Sequence, residues 1–149
     1  MKNWIKNIFS KEKSAETKTG KDEKIVSRPA DWQPDGIYIN EGLQRFGNKL
    51  ASYLRIMNLF CQGLPELIEK VKEPTEDNLA DYAVSIHGLR GSCLGISANL
   101  CAEKAMELEL AAKAGNFDEV CEKNVEFLKL LEKTASEIRE FIAIKEKEV

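Results

Sequence analysis

One histidine, His87, stands in the 149 residues, and most of the usual equipment of an enzyme is missing around it. There is no Walker A loop and no GxGxxG motif after a strand, which argues against a nucleotide-using catalytic domain. A lone histidine argues against a His-built metal site, and no acidic set is arranged for metal-phosphate work, so neither metal nor cofactor is expected on this chain. The four cysteines, Cys61, Cys93, Cys101 and Cys121, are separated by 32, 8 and 20 residues, with no CxxC pair. That spacing suits neither zinc nor dithiol chemistry, and the thiols read as small buried hydrophobes in a reducing compartment. No apolar run approaches the ~20 residues that span a bilayer. The N-terminus has no uninterrupted apolar core and no small-residue cleavage site, so a secretory signal is not expected and the cytoplasm is. No stretch alternates with the two-residue period of a strand.

What is present is charge and helical periodicity. A content of 43% hydrophobic and 32% charged residues is that of one soluble globular domain. Residues 1–24 carry seven lysines against four acidic residues, leaving 15 basic and 21 acidic side chains for the rest. The acidic body disfavours nucleic acid as a partner. Residues 1–34 are expected to be a flexible basic tail and linker, since residues 10–24 hold no apolar side chain larger than Ala15. Ahead of that linker, Trp4, Ile5, Ile8 and Phe9 recur at helical spacing beside Lys2 and Lys6. Disorder, docking to a partner or membrane surface, and packing on the domain are the readings open for residues 1–9.

From residue 35 to about 146 the pattern is helical. Asn40 is a candidate N-cap for a short helix closed by Gly47 and Asn48. Leu50, Tyr53, Leu54, Met57, Phe60, Cys61, Leu64, Leu67, Ile68 and Val71 then mark about six turns of one amphipathic helix. Pro65 predicts a kink or loosening near residues 61–63. Thr75 can cap the helix that bears His87, Ser97 can cap the next, Gly115 has the position of a C′ glycine, and Asn116 can cap the last. Among the apolar positions of that last helix are Val120, Val125, Phe127, Leu131, Ile138 and Phe141. Four long helices with short loops predict an all-α fold, an antiparallel up-down four-helix bundle with a short extra N-terminal helix.

At 100° per residue, Leu79, Tyr82, Ala83, Ile86, Leu89 and Cys93 form the core stripe of the histidine helix. His87 lies just off it. Ala80, Val84, Gly91 and Leu94 fall on its own flank and Asp81, Ser85, Gly88 and Ser92 on the other, so the ring stands at the edge of the core among small residues. Arg90 and Gly91 sit one turn onward.

The set His87, Leu89, Arg90 and Gly91, followed by Ser97-Ala98, Ala105 and Leu108-Glu109, resembles the histidine phosphotransfer (HPt) domain family. The likeness includes residues 41–47, which resemble the family's first helix, and spans roughly residues 37–144. Arg90 replaces a more usual lysine and Ser97 a more usual glycine. The resemblance implies a phosphocarrier without kinase activity of its own. Its His87 would accept a phosphoryl group from a receiver-domain aspartyl-phosphate and pass it to another receiver in a two-component phosphorelay. Response-regulator receivers are the expected partners, with a hybrid sensor kinase as a further candidate, and the protein is expected to be a monomer.

The chemistry suits these residue types. A neutral imidazole offers a lone pair at cellular pH, and the receiver would supply magnesium and an acidic pocket. Arg90 is the candidate for stabilising phosphoryl oxygens. Gly91 keeps the approach open for the partner, and Ala80, Val84, Gly88 and Leu94 are the candidate docking positions. Singly, a helical histidine is more often structural and an arginine more often a solvated charge; the spaced set carries the reading. The competing functions are a non-catalytic helical interaction module, with His87 incidental, and a membrane-tethered adaptor using residues 1–9.

Overall fold

The structure, a computed structural model, describes residues 28–149. The expectations for the tail, its amphipathic nonapeptide and its linker fall on residues 1–27 and lie outside the described residues. The chain divides between Trp32 and Gln33 into two units. Of the first, residues 28–32 hold a turn closed by the Trp32 amide on the Pro29 carbonyl at 3.0 Å, with the Arg28 guanidinium 4.0 Å over the Trp32 ring.

The second unit, Gln33–Val149, is all-helical. Of the described residues 79% are helical and none is in a strand. Five α-helices follow in order: α1 (Ile39–Arg45), α2 (Leu50–Val71), α3 (Leu79–Gly95), α4 (Asn99–Lys113) and α5 (Phe117–Lys145). No helix among the described residues is long and apolar enough to cross a membrane. Helix α3 packs most extensively on α4; α4 packs on α5, α5 on α2, and α2 on α3, with α1 laid against α2.

The periodicity of α2 decides its buried face. Tyr53, Leu54, Met57, Phe60, Cys61, Leu64, Ile68 and Val71 are all buried. Each large side chain so removed from water stabilises the fold by roughly 1.5–3 kcal/mol. The helix runs unbroken across Pro65, because Leu64, Ile68 and Val71 anchor both sides of the proline to the core. In α5, Val120, Phe127, Leu131, Ile138 and Phe141 are buried, but Val125, expected among the apolar positions, is exposed. Helical phase explains this. Asn124 takes the inward position beside it, accepting from the Tyr82 hydroxyl at 2.5 Å and donating to the Val71 carbonyl at 2.9 Å.

The helix ends show how residues were matched to backbone. Tyr38 rather than Asn40 occupies the N-cap of α1. Thr75 closes a capping box with Asn78 around a 3₁₀ turn, Glu76–Asn78, that leads into α3. Helix α4 ends in a Schellman motif, the Gly115 amide on the Ala112 carbonyl at 3.0 Å and the Asn116 amide on that of Ala111 at 2.9 Å, with Gly115 at φ +74°. The same motif ends α3, where the Ser97 amide meets the Leu94 carbonyl at 3.0 Å and the Ala98 amide that of Cys93 at 2.9 Å. Ser97 therefore does not cap α4; it is the C′ residue of α3, at φ +61°, where glycine is the unstrained choice. Asn116 is at the N-cap of α5, but its side chain donates to Glu119 at 2.8 Å instead of accepting from the backbone.

Two contacts fasten the start of the unit onto the α3–α4 corner. The Tyr38 amide donates to the Ser97 carbonyl at 2.9 Å, and the Tyr53 hydroxyl to that of Ile96 at 2.8 Å. Burial pushes the Tyr53 phenol up to about 12, so it stays a donor. Gly42 is required where α1 crosses α2: a Cβ there would lie 2.4 Å from the Tyr53 ring.

Candidate functional site around His87

Helix α3 buries Tyr82, Ala83, Ile86, Leu89 and Cys93 of the stripe its sequence predicts, while Leu79, the first residue of the helix, is only half-buried. One residue past Ile86, the His87 side chain is 61% exposed. Facing it across the α3–α4 interface is Glu109. That interface is built from small side chains, with Ala83 on α3 and Ala102, Ala105 and Ala112 on α4 all buried, so the two backbones come close enough for side chains to meet.

Glu109 is itself 7% exposed, yet it carries a charge. A carboxylate taken out of water is stable only when compensated. Here Oε2 accepts from Lys113 Nζ at 2.8 Å and faces His87 Nδ1 at 3.0 Å; Oε1 lies 3.2 Å from Nδ1 and 3.7 Å from Arg90 Nε. The Lys113 hydrogen bond first, and then that of His87, outweigh burial and hold the Glu109 carboxyl below its usual range.

This decides the tautomer. An ionised carboxylate can only accept, so the hydrogen between Glu109 and Nδ1 belongs to the ring. A neutral imidazole with its proton on Nδ1 keeps its lone pair on Nε2. Nε2 has no hydrogen-bond partner among the described residues, and the ring is open to solvent.

Chain comparisons return no matching family model, curated protein or solved structure.

Of the other expected site residues, Ala80 and Val84 line one groove with His87, and Gly88, Gly91 and Leu94 follow along the same helix. Ala80, Val84, Gly88, Gly91 and Leu94 are all exposed, Val84 the most at 72%. A Cβ added at Gly88 or Gly91 would meet nothing within 4 Å, so neither glycine is demanded by packing. An open groove of about 560 Å³ lies beside His87, lined by Ala80, Ala83, Val84, Glu109, Ala112 and Lys113. Arg90 is differently placed from a free phosphoryl clamp. Its guanidinium lies on the Nδ1 side, with Nη2 3.4 Å from Nδ1 and Nε toward Glu109.

Two residues of the cluster were not singled out from the sequence as site residues, Glu109 and Lys113. The signal for Glu109 is a charge at the third place of the small-residue series Ala102, Ala105, Glu109, Ala112, on the face that α4 must bury. Lys113 follows it by four residues, the spacing of an intrahelical ion pair. The cysteines belong elsewhere. Cys61, Cys93 and Cys101 are buried and Cys121 half-buried, all with free thiols. Hydrogen bonding to Cys101 and burial push the Cys93 thiol up, so it stays protonated. Among the described residues no three His, Cys, Asp or Glu side chains converge as metal ligands.

Proposed function

We propose that this chain is a histidine phosphotransfer protein, taking a phosphoryl group on Nε2 of His87 from the aspartyl-phosphate of a receiver domain and passing it to another receiver. The observation that carries the reading is the Glu109 carboxylate on Nδ1, which directs the lone pair of an exposed imidazole outward. The all-helical fold supports it, and we read α2 to α5 as an antiparallel up-down four-helix bundle with α1 as the short extra helix.

In the transfer, the Nε2 lone pair attacks phosphorus, the acyl P–O bond breaks, and the receiver's aspartate leaves as a carboxylate. Nδ1 keeps its hydrogen throughout, so no base is needed to remove a proton. The positive charge that develops on the ring as the N–P bond forms faces Glu109. Magnesium on the receiver would supply charge neutralisation at the phosphoryl oxygens. Arg90 reaches those oxygens by turning from Glu109, and its planar guanidinium suits them bidentately. The reverse steps hand the group on. Exposed Val84 and the groove beside His87 suit a protein partner that binds briefly through a small apolar patch. Receivers are the partners, with a hybrid sensor kinase as a possible source of one, and the carrier acts as a monomer.

The test is transfer from phosphorylated receiver domains to the full chain. Acid-labile, base-stable phosphate is expected on wild type and none on His87→Gln, whose fold should be unchanged because the ring is mostly exposed. Labelling of the variant to wild-type extent would refute the reading. Receiver binding without any phosphate transfer would favour a plain interaction module.

A further inference from the structure

The Glu109 carboxylate serves two masters on one oxygen. Oε2 is 2.8 Å from Lys113 Nζ and 3.0 Å from His87 Nδ1, while the remaining cation, Arg90, stands farther off at 3.7 Å from Oε1. We infer that Lys113 is a positioning residue for His87: its ammonium balances the Glu109 charge, so the imidazole stays neutral with its proton on Nδ1 and its lone pair on Nε2. The consequence for phosphotransfer rests on the phosphoacceptor reading above; the effect on the ring does not.

A buried carboxylate beside an imidazole has two ways to be compensated. It can accept from a neutral ring and be neutralised by another cation, or it can draw a second proton onto the ring and form an imidazolium–carboxylate pair. Only the first leaves Nε2 nucleophilic. Lys113 tips the balance through geometry: its ammonium, 2.8 Å from Oε2, already neutralises the carboxylate and opposes a second positive charge on the ring. Its position is built into α4, four residues past Glu109 and in the last turn, where the helix dipole also favours a cation. The charged groups that meet this site are Arg90 from α3 and Glu109 and Lys113 from α4. Helix α2, the other long helix packed on α3, forms no ion pair or hydrogen bond with the ring among the described residues. Lys113 is 62% exposed, so it can be changed without opening the core.

Because the chain has one histidine, the ring signals in a proton–nitrogen NMR titration need no assignment. The full chain is compared as wild type, Lys113→Met, Lys113→Gln and Lys113→Arg, with phosphoramidate as the phosphoryl donor. In Lys113→Met the midpoint of the ring titration should move up by about 0.5–1 pH unit, a size set by one partly screened charge. Phosphate uptake at pH 6.5 should fall about twofold to fivefold, in step with the neutral fraction, and the loss should vanish by about pH 8.5. Lys113→Gln should match Met, and Lys113→Arg should restore both readouts. An unmoved midpoint in Lys113→Met and Lys113→Gln, or a rate loss equal at every pH, would overturn the inference. If the midpoint moves as stated but no variant, wild type included, takes up phosphate, the positioning role stands and the phosphoacceptor reading falls.

Discussion

Glu109 and His87 meet across two helices, the carboxylate oxygens at 3.0 and 3.2 Å from Nδ1, and it is the glutamate that is buried while the imidazole faces solvent. The effect of the pair is to fix the Nδ1 side of the ring and leave the Nε2 side open to solvent.

The pair has a pH signature in stability. Glu109 titrates below the usual carboxyl value of 4.5 when folded, so its ionised form stabilises the native state. A lowered folded value means that this contribution is present above about pH 4.5 and is lost as pH falls through the folded value. Glu109→Gln should therefore be less stable than wild type at pH 7, with the gap narrowing as pH falls below about 4.5. Urea unfolding of both proteins at pH 7 and pH 3 measures this, and a gap that persists unchanged at pH 3 would contradict it.

The faces of α3 predict opposite outcomes for one kind of substitution. Val84→Glu places a charge on a side chain that is already in water, so the melting temperature should move little while receiver affinity falls through desolvation at the contact. Leu89 is fully buried, and Leu89→Glu should unfold the domain. Circular dichroism melts together with binding titrations separate the two.

At Gly91 there is room for a side chain, since a Cβ would meet nothing within 4 Å. Gly91→Ala should raise stability by up to ~1 kcal/mol through helix propensity. Gly91→Gln should weaken receiver binding severalfold by standing in the approach to His87. Wild-type transfer kinetics in the glutamine variant would show that the glycine has no part in access.

Ser97 carries two local costs at once: a left-handed backbone at φ +61°, and a buried hydroxyl with no hydrogen-bond partner. Glycine removes both and gives back part of the gain as backbone entropy. Ser97→Gly should stabilise the domain by about 1 kcal/mol. A denaturant midpoint that falls would mean the hydroxyl is satisfied in solution.

The helices were legible in the chain because their information is periodic and local. The buried positions of α2, the stripe from Tyr82 to Cys93, the capping threonine before α3 and the glycine after α4 follow from spacing and backbone preference, which a sequence carries residue by residue. His87 stood out for the same reason, one reactive side chain at the edge of an apolar stripe, with Ala80, Val84, Gly88, Gly91 and Leu94 on solvent-facing positions near it. Helical phase was less certain where polar residues compete for the core, as Asn124 does with Val125, since a buried amide is favoured only by partners such as Tyr82 and the Val71 carbonyl that lie far off in the chain. Ser97 reads locally as a cap, and only the meeting of α3 and α4 at that corner forces it into the left-handed region. The site was decided in the same way. Glu109 lies 22 residues from His87 and becomes its partner only when two helices with small facing side chains come together, exclude water, and leave the carboxylate no neutral alternative to Lys113, Arg90 and the ring.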